Sequence, residues 1–375
     1  RDRKEAKSAA KERKKSAREA VRQRNIAVQE RAQGAEGGSK RRRRTGGSGG
    51  EQADDPERFR AQREACRVVE RILESRPATI SGADAIREAD VLLSKMTQGT
   101  QTREQMANGA ALWGYTKHKF VSRAMLCFDA LRRCRCREPT AGSVYEDIWR
   151  HLGELGGGSR CLSVGGGPGN DLFGVDLLLR ICVKPGKVEE QSDGRIRDDG
   201  GGGAVFPDHG TGAAGEDMPR MVCVDFAAES WEPIFTRMTA VLAERGGDAA
   251  RWECLSADLT RPLGSEDNRH LSAHSDLDVA IFSYILTETR GKWENLVVEL
   301  ITMPRSRPRL FLFAEPTPWM LFRLIELVRD ATGNAFEKER DYCWLDSSFG
   351  TGDAEQNVNA RQGPAVLAVF MRVLS

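Results

Sequence analysis

The sequence predicts an α/β fold, Rossmann-like in kind: a mainly parallel sheet with helices on both faces, preceded by a helical region and a basic arm. Three observations carry this. The strands read as continuous apolar runs, as in Arg309-Leu-Phe-Leu-Phe-Ala-Glu315, which fits strands buried on both faces. These runs alternate with helical stretches, the order of successive βαβ units. One strand, Cys161–Val164, feeds a glycine-rich turn, Gly165–Gly169, and then a helix opening at Asn170 or Asp171. Such folds bring backbone close to a nucleotide-like ligand in this way.

At 375 residues the chain has room for one large domain or two modest ones. Its hydrophobic content, 39%, is low for a wholly compact protein. Charge is unevenly divided. Residues 1–50 hold 17 Lys/Arg against 6 Asp/Glu, and the remainder 40 against 49. A basic arm, expected to be disordered over 1–54, thus precedes a mildly acidic body. Its Lys40-Arg-Arg-Arg-Arg44 run cannot be buried, because five adjacent cations repel one another. It is expected to contact RNA or direct nuclear import, or merely to solubilise the chain. Nine cysteines form no C-x-x-C pair and sit mostly in apolar runs. Reduced thiols in the nucleus or cytoplasm are expected. Cys134-x-Cys136 is too short for a zinc site, so no metal is expected. No run of about 20 apolar residues suggests a membrane span. The chain starts at Arg1 rather than Met, as expected of a fragment.

Residues 55–139 read as a helical region that would act as a substrate lid or cap. Phe59, Cys66, Val69, Ile72 and Leu73 recur at helical spacing, as do Ala85, Ile86, Ala89, Val91, Leu92 and Leu93, and then Phe120, Ala124, Met125, Phe128 and Leu131. Ser81 is a plausible N-cap. A further helix is expected over Val144–Leu155. Between helices, Trp113-Gly-Tyr-Thr-Lys-His-Lys-Phe120 mixes aromatics with cations. It reads first as core aromatics with surface lysines, and second as the lining of a substrate mouth.

Residues 140–375 would form the sheet domain. A helix is expected over Asp171–Cys182, then a disordered polar insertion at 184–219. Apolar strands follow at Arg220–Phe226, Trp252–Leu259, from Leu277, at Arg309–Glu315 and at Ala365–Leu374, with helices at Trp231–Leu242, Trp293–Thr302 and Trp319–Thr332.

Ligands of open α/β sheets bind at the carboxyl ends of strands. Those ends here are Gly165, Gly167 and Gly169, then Asp225, then Asp258, then Ser283-Tyr284. The turn is not the G-x-G-x-x-G of dinucleotide binders, since Asn170 takes the place of the third glycine. Without the 184–219 stretch, Asp225 follows Gly169 at about the 20-residue offset of a ribose-binding acid. A carboxylate there accepts both ribose hydroxyls at once. Asp258 is placed to accept from an exocyclic adenine amine. The alternative for either acid is a helix N-cap.

The order Ser163-Val-Gly-Gly-Gly-Pro-Gly169, Val224-Asp225, Ala257-Asp258-Leu259, Asp278–Tyr284 and Leu310–Pro316 resembles the class I S-adenosylmethionine-dependent methyltransferases over roughly residues 140–375. The resemblance implies a seven-stranded sheet with one antiparallel strand, at Ala365–Leu374, and methyl transfer from S-adenosylmethionine. It implies that Gly165, Gly167 and Gly169 pack on the methionine moiety, that Asp225 holds the ribose, and that Asp258 with Leu259 contacts adenine. Ser163 and Ser283 would complete the cofactor contacts. One departure is Ser163 itself, because the family usually has an acid two residues before its first glycine. The fourth strand lacks both the Asn/Asp-Pro-Pro-Tyr signature and a Pro-Cys nucleophile. Its Ser283-Tyr-Ile-Leu-Thr-Glu288 makes Tyr284 and Glu288 the candidate catalytic residues, with Glu315 next. A helix N-cap, or a first-turn acid complementing the helix that follows, is the alternative for Glu288. The Gly-Gly-Gly-Pro-Gly turn and this segment are faintly similar to ribosomal-RNA-associated methyltransferases. RNA, contacted through Lys40–Arg44, is therefore the expected acceptor. A small-molecule or protein acceptor, and a non-catalytic RNA- or ribosome-associated scaffold, are the alternatives. The oligomeric state is left open.

Overall fold

The computed structural model describes residues 55–98, 100–136, 143–184, 218–273, 276–304, 307–316, 318–333, 336–338, 340–345 and 364–371. The arm expected at 1–54, and nearly all of the insertion expected at 184–219, lie outside these residues.

The helices before the sheet are α1 (Pro56–Glu74), α2 (Gly82–Thr97), the short α3 (Arg103–Met106), α4 (Gly109–Cys136) and α5 (Val144–Glu154). Then come β1 (Arg160–Val164), α6 (Asn170–Leu178), β2 (Arg220–Asp225), α7 (Ala228–Glu244), β3 (Trp252–Ser256), the short α8 (Arg269–Ala273) and β4 (Val279–Ser283). The chain continues through α9 (Ile285–Glu288), α10 (Glu294–Thr302), β5 (Arg309–Glu315), α11 (Pro318–Ala331), β6 (Tyr342–Leu345) and β7 (Ala365–Met371).

The seven strands lie in the order β3-β2-β1-β4-β5-β7-β6. All neighbouring pairs are parallel except those of β7, which runs antiparallel to β5 and to β6. The continuous apolar runs have a direct cause, since successive strand residues point to opposite faces. Cys161, Cys223, Ile281 and Leu312 enter a core with helices α1 to α7. Leu162, Val224, Phe282 and Phe313 enter another with α10 and α11. Helices α1, α2 and α4 thereby share the first core.

Ser81 caps a helix as the sequence suggests, and Ser143 caps another. Ser81 Oγ accepts from Asp84 N at 3.0 Å, and Ser143 Oγ from Glu146 N at 3.4 Å. The apolar stripe of α1 is Ala61, Ala65, Val68 and Ile72. Phe59 faces away and is 64% exposed, with Arg63 over its ring. Val91 likewise falls off the stripe of Ala85, Ala89, Leu92 and Met96, and is exposed. The segment Trp113–Phe120 is not a connection between helices but the interior of the 28-residue α4. Gly114 permits that packing. A Cβ there would lie 1.9 Å from the Ala85 carbonyl oxygen and 2.7 Å from Ala89 Cβ, so α2 and α4 meet backbone to backbone. Strand β3 ends at Ser256, three residues short of the expected end, and Leu259 lies in a turn. Strand β6 has no counterpart in the sequence reading. Its four residues, Tyr-Cys-Trp-Leu, are too few to show a period.

Candidate functional site

Strands β1 and β4 are neighbours, with β2 leaving on one side and β5 on the other. Their carboxyl ends are the point where the direction of winding reverses, the usual ligand crevice of such sheets. A cavity of about 260 Å³ opens there. Gly165, Gly167, Asp225, Phe226, Trp231, Asp258, Leu259, Thr260, Ile285 and Glu288 line it from the sheet side. Met96, Gln101, Met106 and Tyr115 line it from α2 to α4, and Thr289, Arg290 and Lys292 stand at the turn after α9. A shallow depression between α1 and α7 is larger, about 310 Å³. Its charges are satisfied among themselves, as in Arg71 with Glu74 and Glu244.

The glycine loop forms the floor. Gly167 and Gly169 have φ of 54° and 87°, a region side-chain-bearing residues rarely adopt. A Cβ at Gly167 would also meet the Trp231 ring at 3.2 Å. The middle glycine answers to the residue beneath it: a Cβ at Gly166 would lie 1.9 Å from Ser163 Oγ. Ser163 is fully buried there and does not line the cavity. Its hydroxyl donates to Asp171 Oδ2 at 3.3 Å.

Asp225 ends β2 and is 4% exposed. Its Oδ1 accepts from Ala227 N at 2.8 Å and its Oδ2 from Gly167 N at 3.3 Å. Burial raises its pKa to about 6 against the pull of those two N–H groups. The second bond ties the acid to the glycine loop. Asp258 accepts through Oδ1 from Thr260 N and Thr260 Oγ1, at 2.8 and 2.7 Å. It thus braces a turn as well as facing the cavity, where Leu259 lies beside it.

The acceptor-side candidates separate. Glu288 lines the cavity, and burial pushes its pKa to about 8, with Arg123 opposing and Glu315 adding to the rise. It stands in the first turn of α9, and among the described residues it caps no helix. That role belongs to Glu315, which accepts from Leu286 N at 2.8 Å, Thr287 N at 3.2 Å and Thr287 Oγ1 at 2.7 Å. Glu315 is fully buried, does not line the cavity, and holds α9 in place. Tyr284 sits between β4 and α9 with φ 64°, a strained conformation for a side-chain-bearing residue. Its amide donates to Ala314 O at 2.7 Å, and its ring lies 3.3 Å beneath the Arg123 guanidinium. Tyr284 and Ser283 do not line the cavity.

Sequence reasoning did not single out Trp231, and it reached Tyr115 only through the second reading of Trp113–Phe120, the lining of a substrate mouth. Tyr115 and Trp231 pack edge to face, 5.6 Å between centroids, and both line the cavity. The aromatic–cation mixture of 113–120 held a signal: Trp113, Tyr115 and Phe120 are core residues, yet Tyr115 also reaches the ligand space.

The residues fit S-adenosylmethionine. The loop leaves a cradle that a Cβ would fill, and acids end two neighbouring strands. Buried polar atoms await partners: Gln101 Oε1 and Trp231 Nε1 belong to cavity-lining residues. A polar ligand with an aromatic base and a charged end would satisfy such a set.

No protein-family model matches the sequence, and no curated protein matches it. Among solved structures, the chain is similar to a precorrin-6y C5,15-methyltransferase from Geobacter metallireducens, at 10% identity and TM-score 0.30, covering 62% of this chain and 91% of that one. It is similar to an arsenic(III) S-adenosylmethionine methyltransferase from Chlamydomonas reinhardtii, at 13% identity and TM-score 0.31, covering 66% and 73%. A third similarity is to the mitomycin 7-O-methyltransferase MmcR, at 14% identity and TM-score 0.25, covering 75% of each chain. Such identities and scores say nothing of substrate or mechanism. Strand order, antiparallel β7 and a glycine loop at the β1–β4 switch together make the fold the one implied by the class I methyltransferase resemblance.

Proposed function

We propose that this chain transfers a methyl group from S-adenosylmethionine to an acceptor. One observation carries the reading: Gly165 and Gly167, Asp225, and Asp258 with Leu259 come from three adjacent strand ends and line a single cavity. Bound there, the cofactor supplies a methyl group on a sulfonium centre. Asp225 accepts from the ribose hydroxyls, Asp258 and Leu259 meet the adenine, and Trp231 supports the loop under the amino-acid end. Glu288 faces the acceptor side. When an amine or hydroxyl acceptor must lose its proton, Glu288 takes it in its carboxylate form and passes it to solvent. Positioning and exclusion of water by Met96, Met106 and Tyr115 supply the rest of the rate. Calorimetry with S-adenosylmethionine tests the reading. Absence of binding to the wild-type chain leaves a non-catalytic scaffold as the better account.

For the acceptor we favour RNA. The support is the Lys40–Arg44 run, which lies outside the described residues, and two cations at the cavity rim, Arg290 and Lys292. Neither of these is in an ion pair among the described residues. A specific observation favours a small molecule instead: the cavity, which Met96, Gln101 and Met106 help to line, holds only about 260 Å³, little room for a polymer. Incubation with methyl-labelled cofactor and fractionated extract separates the two by whether label enters RNA, protein or small molecules.

A further inference from the structure

Two thiols meet behind the glycine loop. Strand β2 carries Cys223, the edge strand β3 carries Cys254, and the two are in-register partners in the parallel ladder. Both side chains pack on the face covered by α1 to α7. Neighbouring strands lie about 4.8 Å apart, and residues joined by a disulfide have Cα atoms roughly 4.4–6.8 Å apart. The pair is thus within bridging range, and the two thiols already interact by a hydrogen bond. It escapes a search for C-x-x-C, because the residues belong to different strands.

Cys223 also holds the glycine loop. It is fully buried, and its Sγ donates to Gly167 O at 2.9 Å. Gly167 N donates to Asp225 Oδ2 at 3.3 Å. Two residues on one face of β2 therefore grip the amide and the carbonyl of a single cavity-lining glycine. The hydrogen bond with Cys254, together with burial, holds the Cys223 thiol well above its ordinary pKa. It stays protonated and keeps its bond to the loop. Cys254 differs, being only half-buried and on an edge strand, where a small oxidant reaches it.

We propose that Cys223 and Cys254 form a reversible disulfide that releases the glycine loop, so that peroxide weakens the cofactor site. The effect on binding rests on the cofactor reading above, whereas the disulfide and the loop release do not. The oxidant is hydrogen peroxide. The Cys254 thiolate attacks it, an S–O bond forms as the O–O bond breaks, and the leaving hydroxide takes up a proton to become water. The Cys223 sulfur then attacks the sulfur of this sulfenic acid. An S–S bond forms, the S–O bond breaks, and the departing hydroxide takes the Cys223 proton to become a second water. One peroxide is reduced and two thiols are oxidised. The proton lost from Cys223 is the one donated to Gly167 O, so that buried carbonyl is left unpaired. Across parallel strands the Cβ atoms stay about a strand spacing apart, wider than the ~3.8 Å of a relaxed disulfide. Such a bond is strained and readily reduced, which suits a switch rather than a permanent cross-link.

The test is treatment of the full chain with hydrogen peroxide and then with dithiothreitol. Peptide mass mapping should show Cys223 joined to Cys254 after the first and separate after the second. Hydrogen exchange of the Gly165–Gly169 amides should be about tenfold faster in the oxidised chain and should recover on reduction. By calorimetry, S-adenosylmethionine should bind the oxidised chain about tenfold more weakly, the scale of one buried acceptor left unpaired. Cys254→Ser keeps the Cys223 bond to Gly167, so it should match reduced wild type in both readouts and ignore peroxide. Cys66→Ser, at the other half-buried cysteine among the described residues, should remain sensitive. Absence of the Cys223–Cys254 bond overturns the proposal. So does a bond that forms with loop exchange unchanged, equal affinity of the reduced and oxidised chains, or sensitivity that survives in Cys254→Ser. Should that variant not fold, mapping and exchange on wild type decide alone. No binding to reduced wild type sinks the cofactor reading instead, and the exchange measurement still decides the switch.

Discussion

Asp225→Asn separates what this residue does for the fold from what it does for the ligand. Both carboxylate oxygens accept a backbone N–H, from Ala227 at 2.8 Å and Gly167 at 3.3 Å. Asn has one acceptor, so its amide would face the other N–H, at a cost of about 1–3 kcal/mol. Against this, burial raises the acid's pKa from 3.8 to about 6. At pH 7 an ionised Asp225 therefore costs the fold roughly 3 kcal/mol relative to the unfolded chain. Asn removes that cost. The two effects nearly cancel, and the variant should match wild type within about 2 kcal/mol at pH 7. The sign with pH is definite. A carboxyl whose folded pKa is raised contributes most stability below its unfolded value near 4, and loses it as pH rises through about 6. Wild type should lose about 1–2 kcal/mol from this group between pH 5 and 8, and Asp225→Asn should not. Ligand binding should behave oppositely. Loss of the charge that accepts two hydroxyls should weaken S-adenosylmethionine by about ten- to a hundredfold. Denaturant melts at pH 5 and 8 measure the first, and calorimetry at pH 8 the second. Unchanged affinity in a folded variant refutes the ribose role. A stability loss well above 3 kcal/mol at pH 7 refutes the energetic argument.

Three further expectations follow from the geometry. Because burial lifts Glu288 to about 8, its carboxylate form appears only as pH rises through that value. Initial rates should climb across pH 7–9, and Glu288→Gln should be slower by about 10²-fold with a flat profile; a flat wild-type profile rules out Glu288 as the base. Glu315→Ala should cost about 2–4 kcal/mol in chemical denaturation by leaving Leu286 N and Thr287 N unpaired. Lost turnover at unchanged stability would instead return Glu315 to the reaction. Gly114→Ala drives a methyl to within 1.9 Å of the Ala85 carbonyl oxygen and should lose about 3 kcal/mol as α2 and α4 separate. A change under 0.5 kcal/mol would show that the helices slide apart freely.

Much of the sheet was readable from local pattern. The interiors of the runs Arg220–Asp225, Val279–Ser283 and Arg309–Glu315 are continuously apolar because both faces are covered, and a strand of that kind announces itself. The glycines and Asp225 were readable for a similar reason. Each is tied to a local requirement, a φ above zero or a strand end, and to residues near it in sequence. The strand Tyr342–Leu345 and the true extent of α4 were not, since four residues carry no period, and Trp113–Phe120 carries two signals at once.

What the sequence determined by itself is the cradle: strand, glycine turn, helix, and acids at the next strand ends, all set by short-range chemistry. What tertiary structure decided is which charges meet there. Glu288 and Glu315 look equivalent in sequence, yet packing sends one to the cavity and the other to cap α9. Tyr115 comes from α4, well before β1 in sequence, and the close approach of α4 to α6, where a Cβ at Gly174 would lie 2.1 Å from Ala124 O, helps seat that helix beside the cavity. Ser163 looked like a gap in the acid pattern. The fold sets a buried acid beside it, Asp171, because a helix start and a strand end that are eight residues apart in sequence come within 3.3 Å in space.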